Sequence, residues 1–281
     1  MSAETIQAGR PARRRLDQLL VERGLAESRT RAQALLLAGR VRVGEGDRAR
    51  RDLKSGDLVD PSVVLAVDAP EPYVSRGGHK LAAGLDAFAI DPAGLTCLDV
   101  GASTGGFSDV LLQRGARRVY AVDVGRGQLA ETLRHDPRIV SLERTNARTL
   151  GRGALPEPVD LAVVDVSFIS LRLVLGPVAA CFGPAGGRLV PLVKPQFEAG
   201  RAALDRGVVR DRSVHLEVLR RIVGVARELG LAAVDVIPSP LLGPDGNREF
   251  LLLLAVPGSG AGDPSEADRL ADERLVEVAA G

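Results

Sequence analysis

Tryptophan is missing from this chain of 281 residues, and aromatic side chains make up only 3% of it. Stacking of nucleobases on an aromatic platform is therefore disfavoured as a main binding mode. Cysteine is almost missing too. Cys97 begins an apolar run and Cys181 sits in Ala-Ala-Cys-Phe, so both read as small core residues of a reducing compartment rather than a disulfide framework. The histidines, His79, His135 and His215, are scattered without ligand spacing, and no metal is expected. No run of about 18 apolar residues exists to span a membrane. The opening Met-Ser-Ala-Glu-Thr-Ile-Gln-Ala-Gly-Arg has no apolar stretch of a secretory signal. The charged amphipathic segment after Arg13-Arg14-Arg15 disfavours twin-arginine export. A cytoplasmic protein is the expectation.

What is present describes a soluble globular chain: 45% hydrophobic and 26% charged residues, enough for a substantial core. The length suits one large domain, or one typical domain with a small companion. Net charge is close to balanced at +1, but its distribution is uneven. Between Arg10 and Lys54 thirteen Lys or Arg face six Asp or Glu. A basic module on a neutral body suggests a polyanionic partner, although a solvated surface in an arginine-rich proteome would look the same.

Residues 1–12 are polar and contain Gly and Pro, as a disordered tail would. Leu16, Leu19 and Leu20 then repeat at helical spacing up to Gly24. Ser28 can cap a second helix carrying Ala32, Leu35 and Leu36, which ends at Gly39. Val41 and Val43 alternate as a short strand, and Leu58-Val59 follow a turn at Lys54-Ser55-Gly56-Asp57. This module, taken as residues 13–69, resembles the S4 RNA-binding domain, a small α+β fold. The likeness rests on Arg15-Leu16-Asp17-Gln18-Leu19-Leu20, Arg23-Gly24-Leu25-Ala26, Ser28-Arg29-Thr30-Arg31-Ala32 and Ala38-Gly39-Arg40-Val41-Arg42-Val43. It implies that Arg13, Arg14, Arg15, Arg29, Arg31, Arg40 and Arg42 contact phosphates, which positions a protein on RNA without reading sequence.

A connector over 70–79 opens with Pro70-Glu71-Pro72, whose prolines forbid helix. From residue 80 to 258, strands and helices alternate as a parallel α/β sheet requires. Strands are expected at 96–101, 118–123, 138–143, 160–166, 187–194, 232–238 and 249–256, with a long helix from Val214 to Leu229. Residues 259–281 read as a tail whose charged end, from Ser265, forms a solvated amphipathic helix.

The most informative segment is Leu98-Asp99-Val100-Gly101-Ala102-Ser103-Thr104-Gly105-Gly106-Phe107. An apolar strand enters a glycine-rich turn that opens into a helix, where glycines admit close approach and the helix start offers N–H groups. Its Asp-x-Gly-x-x-x-Gly-Gly spacing departs from the dinucleotide fingerprint and is typical of S-adenosylmethionine (SAM) methyltransferases. Seven strands in this order fit the class I SAM-dependent methyltransferase version of the Rossmann fold. Ligands of such sheets sit at the carboxyl ends of strands. Asp99, Gly101, Ala102, Ser103, Gly105, Gly106 and Phe107 would cradle the cofactor, Asp123 would accept ribose hydroxyls, and Asn146 would meet the adenine. Asp165 ends strand four and Lys194 ends strand five, where a buried ammonium needs a partner such as Asp165. Glu249 opens the last strand, and Lys80 starts the helix before strand one. If the last strand is antiparallel, all four charges meet at one rim.

Tyr73-Val74-Ser75-Arg76-Gly77-Gly78-His79-Lys80-Leu81, the glycine turn, Asp123-Val124-Gly125-Arg126-Gly127-Gln128-Leu129, Glu143-Arg144-Thr145-Asn146-Ala147-Arg148, Asp165-Val166-Ser167-Phe168-Ile169-Ser170-Leu171 and Lys194-Pro195-Gln196-Phe197-Glu198 together resemble the TlyA family. The resemblance implies an S4 domain joined to an FtsJ-like methyltransferase that methylates cytidine 2′-hydroxyls of ribosomal RNA. It places a catalytic tetrad at Lys80, Asp165, Lys194 and Glu249, with Asp165 also bordering the cofactor. Lys194 would hydrogen-bond or deprotonate the hydroxyl, and Asp165 would tune its charge. Arg126 departs from the aromatic residue many members carry there. Arg201, Arg206, Arg210 and Arg212 follow in a loop expected to be mobile and able to grip RNA, or simply to be solvated. The expected partner is rRNA of the 30S subunit, with the 50S subunit as a second candidate, and a monomer is the expected state. Two rivals stand beside this reading: an inactive RNA-binding assembly factor, and a membrane-acting haemolysin, a label the family also carries.

Overall fold

The computed structural model describes residues 12–46, 49–258 and 268–281. Apart from Ala12, the expected N-terminal tail lies outside the described residues. The chain forms two compact units, divided between Pro72 and Tyr73.

The first unit contains β1 (Arg14–Arg15), α1 (Leu16–Glu22), α2 (Arg29–Leu37), β2 (Val41–Val43), β3 (Leu58–Val59) and β4 (Leu65–Val67). β1 pairs antiparallel with β3, and β2 with β4. Ser28 caps α2, its Oγ accepting the Arg31 N–H at 3.2 Å, which satisfies a donor that the first helical turn leaves open. Leu16, Leu20, Ala32, Leu35 and Leu36 bring the helices together over Val41 and Val43.

The second unit begins with α3 (Gly77–Ala87) and continues through β5 (Thr96–Val100), α4 (Gly106–Gln113), β6 (Arg118–Val122), α5 (Glu131–Arg134), β7 (Ile139–Leu142) and β8 (Leu161–Val164). It closes with α6 (Leu175–Ala179), β9 (Gly187–Val193), α7 (Pro195–Glu198), α8 (Arg212–Glu228), β10 (Ala232–Pro238), β11 (Phe250–Val256) and α9 (Asp272–Ala280). Its sheet runs in space as β10-β11-β9-β8-β5-β6-β7. β11 is antiparallel to both neighbours, while the other neighbouring pairs are parallel. Helices cover both faces, so strands such as Leu161-Ala162-Val163-Val164 are buried throughout and read as unbroken apolar runs. Alternate residues divide between two cores. Leu98 and Val100 join Leu175 of α6 and Ile222 of α8, whereas Cys97 joins Leu81 of α3 and Leu111 of α4.

The C-terminal helix corrects the expectation of a solvated element. Leu275, Val278 and Ala279, on one face of α9, are buried in the first of these cores together with Leu270. Arg227 reaches Asp268 at 2.7 Å and Arg274 reaches Asp235 at 3.3 Å, tying the segment to α8 and β10. The charges face outward while the i, i+3, i+4 apolar stripe covers the sheet.

Candidate active site

The strand order reverses beside β5, between β6 and β8, and a crevice opens there at the carboxyl ends. Gly101 leaves β5 with φ +84°, and a Cβ on it would fall 2.3 Å from the Asp165 carbonyl oxygen. Only glycine lets the turn pack against that backbone. Ser103, at φ +47°, is held by the Asp123 carboxylate, whose Oδ2 accepts the Ser103 N–H at 2.9 Å. Asp123 Oδ1 accepts the Gly125 N–H at 2.7 Å, so one carboxylate at the end of β6 fixes two loops. The turn then delivers the start of α4, with its open N–H groups and positive dipole end, to the cleft.

That cleft has a volume of about 430 Å³, within the usual range for small-molecule sites. Gly101, Ala102, Ser103, Gly106 and Phe107 line one side, and Lys80, Asp165, Lys194 and Glu249 another. The antiparallel β11 sets Phe250 opposite Val193, which brings Glu249 and Lys194 to the same edge. Lys80 Nζ pairs with Glu249 Oε2, and Lys194 Nζ lies 2.6 Å from Asp165 Oδ1. Both lysines and Glu249 are buried. A Cβ at Gly243 would meet Glu249 Oε1 at 2.1 Å, so this glycine makes room for the carboxylate. Lys194 Nζ also donates to Ser167 Oγ at 2.9 Å.

The remaining expected cofactor residues are placed differently. Asp99 is fully buried, and its Oδ2 accepts the Ser108 hydroxyl at 2.7 Å. Burial, with smaller contributions from the Asp165 and Asp123 carboxylates, pushes its carboxyl up to about 7. Asp123 borders a narrow hollow adjoining the cleft, which it shares with Gln128 and Glu143. Glu143 Oε1 accepts the Gly127 N–H at 2.7 Å, and its position just past β7 is the signal that could have singled it out. Asn146 instead caps a short turn, its Oδ1 accepting the Arg148 N–H at 3.0 Å. Arg126 is exposed. Ser75, Arg76 and Leu241 to Gly243 also line the cleft, although sequence reasoning gave them no role there.

In the first unit Asp17 is buried beneath Arg15, Arg29 and Gln33, each reaching it at 3.1 Å. The Arg15 guanidinium, assisted by Gln33 and Arg29, holds the Asp17 carboxyl well below the usual carboxylate range. Arg42 pairs with Asp68 at 2.9 Å, Arg40 donates to the Asp68 carbonyl at 2.6 Å, and Arg14 reaches Glu22 at 3.2 Å. Arg13 and Arg31 are exposed and make no ion pair among the described residues. The loop carrying Arg206 and Arg210, expected to be mobile, is pinned by Asn247. Its Oδ1 accepts the Val209 N–H and its Nδ2 donates to the Gly207 carbonyl, both at 3.0 Å.

The family model described as FtsJ-like methyltransferase matches residues 73–256, and the S4 domain model matches residues 14–46. The chain is 49% identical over 245 residues to the 16S/23S rRNA (cytidine-2′-O)-methyltransferase TlyA of Mycobacterium tuberculosis, covering 86% of this chain and 90% of that protein. It is 45% identical to YqxC of Bacillus subtilis, named as an rRNA methyltransferase, across 94% of this chain and 92% of that one. A solved structure of a hemolysin-named protein from Streptococcus thermophilus aligns with a TM-score of 0.69 at 39% identity, covering 96% of this chain and 95% of that chain.

Proposed function

This chain belongs to the TlyA family of FtsJ-like methyltransferases, and from that premise we propose that it methylates the 2′-hydroxyl of a cytidine in ribosomal RNA. One observation carries the reading: two lysines distant in sequence, each seated on its own carboxylate, meet at the rim where the glycine turn opens α4. The turn from Gly101 to Phe107 would hold the methionine end of SAM, with Asp123 at the ribose hydroxyls and Glu143 toward the base. When bound, SAM supplies a methyl group already activated on a sulfonium.

The protein's work is then alignment and proton handling. A ribose 2′-hydroxyl is a weak acid and a poor nucleophile, so its oxygen must be fixed in line and relieved of its proton. Lys194 hydrogen-bonds the hydroxyl and takes that proton, while Asp165 compensates the charge on the resulting ammonium. The Lys80–Glu249 pair orients the ribose. Exposed Arg13 and Arg31, together with the outer edges of Arg15 and Arg29, contact RNA phosphates and set the register without reading bases. This work belongs in the cytoplasm, on 30S subunits and, as a second substrate, 50S subunits. Among the described residues, no helix is long and apolar enough to cross a membrane.

The test is transfer of tritiated methyl from SAM to unmodified 30S and 50S subunits. The wild-type chain should label RNA, and Lys194→Ala should lower the rate about 10²- to 10⁴-fold while still binding SAM. Labelling undiminished in Lys194→Ala would reject the assignment of the lysine. No label from the wild-type chain on either particle would favour the RNA-binding factor instead.

A further inference from the structure

We propose that Ser167 is a positioning residue that fixes the Lys194 amine in the attitude from which it meets the methyl-accepting hydroxyl. The reaction it serves rests on the methyl-transfer reading above; the contact does not. Lys194 stands at the end of β9 on a flexible four-carbon stem, which by itself leaves the amine free to wander. Its Nζ lies 2.6 Å from Asp165 Oδ1 in an ion pair and donates a hydrogen bond to Ser167 Oγ at 2.9 Å. The ion pair alone would let the nitrogen swing about a single contact, and the directed bond to Ser167 ends that swing.

Asp165 and Ser167 are two residues apart in one turn, so the backbone rather than the packing of separate elements sets their spacing. That turn is clamped to the segment carrying Lys194 by further contacts. The Phe168 ring packs on Phe197 at 5.0 Å between centroids. Glu198 accepts the Ser170 hydroxyl at 2.6 Å and the Leu171 N–H at 2.7 Å. Phe168 itself sits at φ +63°, in the left-handed region that aromatic residues seldom adopt. Ser167 is exposed, so core packing gives no reason for a serine at this place. Nor is it the residue with the unusual backbone. Its hydroxyl is spent on the lysine.

Two measurements test this together. In the methyl-transfer assay, Ser167→Ala should lower kcat about 10- to 100-fold, the span of one hydrogen bond to a charged group, with KM for SAM unchanged. Ser167→Thr keeps the hydroxyl and should restore most of the rate. Without RNA, acylation of Lys194 by an amine-reactive ester, quantified by mass spectrometry on the full chain, should accelerate in Ser167→Ala and return to the wild-type rate in Ser167→Thr. Unaltered acylation in Ser167→Ala overturns the proposal whether or not the protein transfers methyl groups. Equal loss of kcat in the alanine and threonine variants overturns it as well, because the turn's backbone would then be responsible. Faster acylation of Ser167→Ala by a chain that labels no RNA would uphold the contact and count against the reaction.

Discussion

Asp17 and Asp99 are equally shut off from water, one in each unit, yet their carboxyls are driven in opposite directions. Asp17 receives two bonds from the Arg15 guanidinium, one from Arg29 and one from Gln33, and stays ionised far below the usual range. Asp99 receives one hydroxyl, from Ser108, and neighbouring carboxylates add to the cost of its burial, so it is pushed up to about 7. Burial sets the cost of a charge, and the donors around it decide whether the charge survives. The two units use the same residue type accordingly. The small unit spends its buried carboxylate on fanning out arginines at the surface. In the methyltransferase unit, Asp165 and Glu249 hold lysines in the cleft, and Asp99, beneath the glycine turn, pairs with no cation among the described residues.

The contrast can be broken most severely at Glu249. Glu249→Ala leaves Lys80 buried without its counterion and should destabilise the protein by about 3–5 kcal/mol in urea unfolding, besides abolishing methyl transfer. A loss well under about 1 kcal/mol would mean that the lysine escapes to water and that the pair is not closed. Asp17→Asn should have a smaller effect, about 1–3 kcal/mol at neutral pH, and should weaken RNA binding as Arg15 and Arg29 lose their mooring. Because the folded carboxyl is held low, its stabilisation is present above the ordinary carboxylate pKa of about 4 and drains away as pH falls further. The gap between wild type and variant should therefore close in acid, and a gap indifferent to pH would remove Asp17 from the comparison.

Asp99→Asn should show the opposite trend. A carboxyl raised to about 7 contributes most below its unfolded pKa and progressively less as pH climbs through the folded value. Near pH 4 the variant and wild type should melt within about 0.5 kcal/mol of each other. Above pH 7 the variant should melt higher, since asparagine cannot ionise. A variant less stable than wild type at pH 8 would show that ionised Asp99 has found a cation, undoing the contrast.

Sequence patterns carried the sheet well, and the reason lies in its burial. A strand covered on both faces, such as β8, is an apolar run between polar turns, and that signature needs no tertiary information. The end of α9 hid itself because Leu275, Val278 and Ala279 are interleaved with Asp272, Glu273, Arg274 and Glu277; their purpose shows only once the sheet they cover is in place. The convergence of Lys80, Asp165, Lys194 and Glu249 at one rim was legible because the direction of one strand settles where Glu249 lies. Ser167 and Gly243 were not, since nothing but distance separates them from any other serine or glycine. Counting arginines likewise measured the charge of the small unit, but could not show that Asp17 and Asp68 gather several of them.

Lys80 and Glu249 are separated by 169 positions, and β11 is wedged between β9 and the earlier-made β10. A ribosome making this chain releases the lysine long before its counterion, and β10 shortly before the strand it pairs with. Until β11 emerges, β9 presents an open edge and a buried site for an ammonium has no anion to receive it. Translation that stalls short of residue 249 therefore yields a chain with an incomplete sheet and an unpaired Lys80, a form proteases can distinguish from the finished protein.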